Sequence, residues 1–385
     1  MTGVPTQTLR LAALTALAAE HAAAGDRDGR LAAPVVDALR DSGLFGALVP
    51  RALGGMEAEP QWFLDTIRTL AGGDAAAAWI VAVCGTGGML AAYLEPDAAA
   101  EVYGGGAIVG GVFAPRGRAL PDGDDLLVSG RWSFASGSAH ADWLMVGCLV
   151  ADGEDVVRTA AGAPDVRLVL FPRAAFKVLD TWDVAGLRAT GSDDITLNGA
   201  RAPAARSASL ISQAPLAEAP LYAFPPFGLL ALSIASVTLG IARAAIGDLV
   251  ELAGGKTPTG STRPLAARPD TQARVARGQA ALDAAQALVA SAVADAWGAA
   301  RGGEVIGADR RAALRRAATH ATETAARVTS DMYALGGGTS VYASSPLQRR
   351  HRDVHVATQH ALVGPATWEL TGRLALGLET DVGQL

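Results

Sequence analysis

Three of the six histidines in this 385-residue chain, His351, His355 and His360, crowd together with Asp353. They follow three glycines, Gly336 to Gly338, and a proline, Pro346, placed where a helix would start. On one continuous helix Asp353 and His360, seven positions apart, would share a face about 10 Å apart. That is too far for a direct bond. The carboxylate is therefore expected to hold Arg352 or Arg349, while the imidazole, whose ordinary pKa lies near the working pH, suits proton transfer. His351 and His355 have the spacing of a helical metal pair. No Glu follows His351 and no third ligand is evident, so no metal is expected.

A second group of polar residues falls in turns. Ser136 and Ser138 flank Gly137 with His140 just beyond, and Thr190, Gly191 and Ser192 make another small-residue turn. Hydroxyls and N–H groups in such turns can hold a cofactor, and can equally be turn-formers and nothing more. Trp132, Phe134 and Trp182 could cover a planar ring or pack as core. Gly337 and Gly338 would let a cofactor approach the backbone, or simply end a helix. Cys84 and Cys148 are too few for a disulfide framework and are expected to be buried small hydrophobes in a reducing, cytoplasmic setting.

The elements that position these residues follow from composition and periodicity. Half of the chain is hydrophobic and 18% is charged, enough apolar surface for a large core. A net charge of −6 gives no nucleic-acid footprint. Thirty of the 32 basic residues are Arg, a bias that goes with the Ala- and Gly-rich composition. The first residues lack the basic-then-apolar order of a signal peptide. Uncharged runs at 75–94 and 219–242 are long enough to cross a bilayer. They lack aromatic belts and flanking basic clusters, and the second is broken by Pro225-Pro226, so buried helices and no membrane are expected.

Helical patterns fill the first hundred residues, including 34–43, 60–71 and 74–94. From 108 to 197 short alternating or apolar runs (108–113, 126–129, 132–135, 143–150, 166–171, 194–197) are separated by turn residues. A Ser/Ala/Pro linker runs to about 216. Long helical patterns then cover 227–253, 269–302 and 309–335, with the His-bearing helix and 365–377 after them. The class expected is α+β, mainly α: an N-terminal helical domain (1–105), a middle β-sandwich or barrel (106–215) and a C-terminal four-helix bundle (216–385).

That order resembles the acyl-CoA dehydrogenase superfamily over nearly the whole chain. Gly111 to Ala119 and Val128 to Gly137 match its flavin-facing strands, and Asp180 to Ser192 matches its Gly-hydrophobic-Arg segment. The dehydrogenases commonly keep a catalytic glutamate two residues before the proline that corresponds to Pro346. Here Ser344-Ser345 precede it, and no Asp or Glu lies between Asp331 and Asp353. A hydroxyl cannot remove the α-proton of a thioester unaided. Pro346-Leu-Gln-Arg, then Arg352-Asp353 and His360, resemble instead the two-component flavin-dependent monooxygenases of this fold. Para-hydroxyphenylacetate hydroxylase oxygenase components and dibenzothiophene monooxygenases are examples. One departure from that branch is Cys84-Gly-Thr-Gly-Gly88, where several members carry a histidine.

The resemblance implies a homotetramer that takes reduced FMN or FAD from a separate reductase and adds molecular oxygen at the flavin C4a. The resulting hydroperoxide then hydroxylates an aromatic or polycyclic small molecule. It places His360 near C4a, Ser136 or Ser138 at flavin N5, and Trp132, Phe134, Thr190, Gly191, Ser192, Gly337 and Gly338 around the cofactor. His140 and Trp182 would line the substrate mouth. An acyl-CoA dehydrogenase with a relocated base, an N-hydroxylating enzyme and a non-catalytic helical oligomer remain as alternatives.

Overall fold

The computed structural model describes residues 4–385 except 161 and 384, with side chains from Arg10 onward. The chain begins with helices α1 (Val4–Asp28), α2 (Ala33–Asp41), α3 (Pro60–Gly73), α4 (Ala75–Gly87) and α5 (Pro96–Tyr103). Proline starts α3 and α5 and sits in the first turn of α2, where its missing N–H forfeits no helical bond. Asp74 caps α4 by accepting from the Ala76 N–H at 3.2 Å. The expected single helix over 74–94 is divided: α-helical geometry stops at Gly87, and tighter 3-10 turns cover Gly88–Tyr93. Close packing accounts for the glycines, since a Cβ on Gly85 would lie 2.7 Å from Phe63 and one on Gly88 2.9 Å from Val49. Every residue of α4 is buried.

The strands are β1 (Val109–Asp122), β2 (Asp125–Trp132), β3 (Trp143–Asp152), β4 (Asp155–Val156), β5 (Val166–Pro172), β6 (Lys177–Leu179), β7 (Asp194–Pro203) and β8 (Ser207–Ala208). They form a sheet in the order β6-β7-β2-β1-β3-β5-β8, with β4 paired to β3. Among the described residues the β1–β3 pairing alone is parallel. Register shifts between Val112 and Gly117 in β1, and between Val128 and Gly130 in β2, bend the sheet as bulges do. The short strand expected over 132–135 does not form. Trp132 ends β2, and Phe134 breaks the line with φ 65°. The indole of Trp132 lies over Gly117 and Gly130, where any Cβ would come within 3 Å, and donates to the Gly147 carbonyl at 2.7 Å.

After the short α6 (Pro220–Ala223) come the long α7 (Pro226–Gly255), α8 (Pro269–Arg301) and α9 (Ala308–Gly336), then α10 (Pro346–Ala357) and α11 (Ala366–Ala375). The apolar α7 runs through the middle of the bundle and is mostly buried. α10 ties three parts of the molecule together. Arg350 pairs with Asp248 of α7 at 2.5 Å, and Arg352 with Asp26 of α1 at 2.7 Å. The helix stops at Ala357, short of the expected span. His360 lies beyond it in extended backbone (φ −67°, ψ 127°), heading the 3-10 turn Ala361–Val363. Asp353 and His360 therefore do not share a helix face.

Candidate active site

The site grows from the backbone of α10. A Cβ on Gly186 would lie 2.5 Å from the Arg352 carbonyl, so only glycine lets the 181–193 segment dock there. Arg352 reinforces the docking by donating to the Ala185 carbonyl at 2.5 Å. The next residue, Leu187, is left-handed (φ 51°, ψ 31°), a geometry that costs a non-glycine residue about 1 kcal/mol or more. Its N–H donates to Asp353 Oδ1 at 2.6 Å, which holds the turn. Asp353 thus anchors a backbone amide and makes no ion pair with Arg352 or Arg349, contrary to the sequence expectation. Burial pushes its carboxyl up to about 7; the Leu187 N–H draws it down, Asp74 and Asp26 raise it, and the Arg349 charge lowers it.

From Leu187 a chain of hydroxyls runs inward. Thr190 Oγ1 donates to the Leu187 carbonyl at 2.8 Å and lies 2.8 Å from Ser192 Oγ. Ser192 Oγ is 2.8 Å from Ser136 Oγ, which accepts from the indole Nε1–H of Trp79 at 3.1 Å. All four side chains are buried. Gly191 turns with φ 50°, and Gly137 with φ 79° packs so closely on α4 that a Cβ would lie 2.9 Å from Cys84 Sγ. Ser136, rather than Ser138, joins the chain; Ser138 contributes its carbonyl, which accepts from Arg173 Nε at 2.7 Å. Cys84 and Cys148 are buried, and burial pushes both thiols up to about 12, out of nucleophilic range.

Trp79 connects this chain to His360, its ring meeting the imidazole edge-on with centroids 5.8 Å apart. His360 Nδ1 accepts from the Leu362 N–H at 3.3 Å, which leaves the proton of the neutral ring on Nε2. Arg315 of α9 fixes the same turn by donating to the Leu362 carbonyl at 3.1 Å. Burial first, and the Arg315 charge second, push the imidazole down to about 4. The expected near-neutral acid–base histidine is thus a neutral Nε2–H donor over most of the accessible pH range.

The remaining candidates separate by environment. Trp132 is fully buried beneath the sheet and cannot cover a ligand, so it is core. Phe134 is 70% exposed and meets Trp182 edge-on at 6.1 Å, forming an aromatic rim beside the hydroxyl chain. His140 lies in the same turn as Ser136, with a buried Nε2 that has no hydrogen-bond partner among the described residues. Its pKa is lowered by burial and then by Arg30, Arg173 and Arg40. Gly337 and Gly338 are exposed at the other end of α10, a helix of twelve residues and thus about 18 Å long, so this chain does not bring them to Ser136. His351 stacks on Tyr333 at 4.6 Å, and His355 Nε2 is 3.0 Å from Ser330 Oγ.

Trp79 and Arg315 escaped the sequence reading, as did the partner of Asp353. For Trp79 a signal existed: an indole N–H in an otherwise uncharged, buried run needs an acceptor. Trp79→Phe is expected to keep the ring against His360 but release Ser136, lowering stability by about 1 kcal/mol, one net hydrogen bond. Urea unfolding measures this, and an unchanged midpoint would show that the bond contributes nothing.

Residues 232–365 match the family model described as acyl-CoA dehydrogenase, C-terminal domain. The chain is similar to an indole-3-acetate monooxygenase of Pseudomonas putida, with 32% identity over 94% of this chain and 91% of the relative. Its fold matches the crystal structure of 3-HSA hydroxylase from Rhodococcus sp. RHA1, with TM-score 0.90, 26% identity and 98% of both chains covered. It also matches XiaF from Streptomyces sp. in complex with FADH2 and glycerol, with TM-score 0.89, 26% identity and 97% and 96% coverage.

Proposed function

Because the chain belongs to the flavin-dependent monooxygenases built on the acyl-CoA dehydrogenase fold, we propose that it hydroxylates an aromatic acid as the oxygenase component of a two-component system. The observation that carries this reading is a neutral imidazole and a buried hydroxyl chain that meet at Trp79, with Ser344 standing where a thioester dehydrogenase commonly keeps its carboxylate. The alternative of a relocated base finds little support in Asp353, whose carboxylate is buried against the Leu187 amide.

The residues present fit a flavin. Phe134 and Trp182 offer a rim for a planar ring system, and Ser136 a buried polar atom beside it. When bound and reduced, flavin supplies the activation of molecular oxygen. The protein's part is to hold the ring, exclude water behind α4, and present the Nε2–H of His360 as a proton donor to oxygen. A flavin reductase is the functional partner, with FMN and FAD both admitted. Two buried free cysteines support a reducing cytoplasm. A homotetramer belongs to the same proposal and is supported by Val341 and Tyr342, two thirds exposed beside the glycine turn. Light scattering tests it.

The acid group of the substrate rests on the basic rim at His140. Arg173 and Arg40 bond the residues two positions either side of it, Ser138 and Asp142. Arg30, among the described residues, has no hydrogen-bond or ion-pair partner, and its charge reaches His140. Such a rim would hold a carboxylate like that of indole-3-acetate, the compound named for the relative above. Arg30→Ala is expected to raise KM for an aryl acetate about tenfold, the scale of one charge-assisted hydrogen bond, with kcat unchanged. Equal KM changes for the acid and its neutral amide would remove the carboxylate from this rim.

The reading as a whole is tested by mixing the protein with chemically reduced FMN or FAD, indole-3-acetate and isotopically labelled oxygen. One labelled oxygen atom in the organic product is expected. Hydrogen peroxide as the sole product, across a panel of aromatic acids, would defeat it.

A further inference from the structure

At the edge of the sheet away from β2 and β7, a cavity of about 480 Å³ opens beside β5 and β8. Strands β1 and β3 stand between it and β2, which leads to Ser136. Its volume falls within the range of small-molecule sites. Three parts of the chain build it: Arg167 of β5, Tyr93 at the end of the 3-10 turns after α4, and Ser209 just past β8. The segment after β8 is stitched to those turns. Gln213 Nε2 donates to the Tyr93 carbonyl at 2.7 Å, and the Leu216 N–H to the Ala92 carbonyl at 2.7 Å. Gln213 Oε1 accepts in turn from the Ser209 N–H at 3.2 Å.

Each of these three walls carries a donor with nothing to bond among the described residues. Tyr93 is 4% exposed, and a buried tyrosine ordinarily finds a partner for its hydroxyl. Tyr103 and Tyr222 do so, donating to the carbonyls of Gly87 and Leu48, whereas the Tyr93 hydroxyl makes no such bond. Burial raises its pKa, so it stays a protonated donor. Arg167 uses Nε on Asp165 at 3.3 Å and keeps its two terminal amines free. Ser209 Oγ accepts from the N–H groups of Ile211 and Ser212 at 3.4 and 3.2 Å and from the Ser212 hydroxyl at 2.9 Å. Its lone pairs are taken, and only its proton is left to give. One cation and two neutral donors on a single cavity answer the chemistry of an oxyanion. Glu95, exposed and without an ion-pair partner among the described residues, lines the same cavity and repels a second negative charge. We propose that this cavity binds a small organic oxyanion, its carboxylate or phosphate held by Arg167, Tyr93 and Ser209 and its other end carrying hydroxyl or amino groups toward Glu95. The proposal stands independently of the flavin reading, because the cavity shares no residue with the hydroxyl chain or His360.

The experiment is a calorimetric titration of the full chain with glycerol 3-phosphate and with malate, and with glycerol as the uncharged control. At least one of the two anions is expected to bind, and the one that binds more tightly tells phosphate from carboxylate; glycerol should not bind. Arg167→Ala is expected to weaken that binding by about tenfold or more, the scale of a hydrogen bond to a charged group. Arg167→Lys, which keeps the charge and loses the fork, should recover part of the loss. Tyr93→Phe keeps the buried ring, is expected to cost about threefold to tenfold, and decides the matter if Arg167→Ala fails to fold by circular dichroism. No binding of either anion at millimolar concentration overturns the proposal, as does equal affinity in wild type, Arg167→Ala and Tyr93→Phe. A parallel titration with FAD completes the test. Unchanged FAD affinity in Arg167→Ala is expected, and a loss as large as that for the anion would make the cavity part of the flavin site and overturn the proposal.

Discussion

His360→Ala is expected to lower oxygen-dependent hydroxylation by about 100-fold, the low end of what a positioned proton-transfer group contributes. Flavin affinity should change little, because the imidazole meets the hydroxyl chain only through the edge of Trp79. The kind of loss depends on the role. With Nδ1 occupied by the Leu362 N–H and the pKa pushed down to about 4, the ring is neutral and donates through Nε2. A weakly basic imidazole is poorly suited to taking a proton near neutrality and well suited to polarising an oxygen atom. His360→Gln, which can still donate, is therefore expected to recover about a tenth of the lost rate or more, within the range that separates a displaced donor from none. The pH profile gives an independent check. No fall in rate should appear near 6.5 as pH drops, because the functional neutral ring persists until pH approaches 4. A variant with Gln as slow as Ala, together with a wild-type rate that collapses near pH 6.5, would make His360 an ordinary titrating base.

The misplacement of His360 and Asp353 shows where a sequence stops being informative. Apolar periodicity, N-terminal prolines and glycine punctuation are local signals, and they located α3, α7, α8 and α9 to within a few residues. The absence of a carboxylate before Pro346 is also local, and it separated oxygen chemistry from thioester oxidation. Helix α10 ends at Ala357 without proline or glycine, so the pattern continued on paper where the chain turns away in space. The partner of Asp353 is 166 positions distant, and that of Trp79 is 57 positions distant. No spacing rule reaches across such gaps. Trp132 and Trp182 look alike as strand-flanking aromatics, yet Gly117 and Gly130 open a slot that swallows the first, while the second stays at the rim. Ser136 and Ser138 were inseparable by motif, and only the arrival of Ser192 from the other turn distinguishes them.

Asp353 and His360 should also leave opposite marks on stability, and one substitution separates them. The folded protein holds the Asp353 proton more tightly than the unfolded chain, with the pKa raised from 3.8 to about 7. Its contribution is full below pH 4 and declines as pH rises through 7, by an upper bound of about 4 kcal/mol at about 1.4 kcal/mol per tenfold change in proton affinity. His360 has the reverse shift, from 6.5 down to about 4. The unfolded chain binds that proton first, so His360's contribution is full above 6.5 and declines as pH falls towards 4. Between pH 4 and 6.5 the two slopes oppose each other, and from 6.5 to about 8 the Asp353 decline stands alone. Asp353→Asn keeps an acceptor for the Leu187 N–H but cannot ionise. Its stability relative to wild type is expected to climb by at most about 2.5 kcal/mol between pH 5 and 8, and its own curve should drop on acidification as His360 is unmasked. Asp353→Ala should lose about 1–3 kcal/mol relative to Asp353→Asn at every pH, since the left-handed Leu187 is left with an unsatisfied amide. Urea unfolding of the three proteins at pH 5, 6.5 and 8 distinguishes these cases. Parallel curves for wild type and Asp353→Asn would mean that the carboxyl ionises normally, and that the Leu187 turn is held by packing against Gly186 and Arg352 alone.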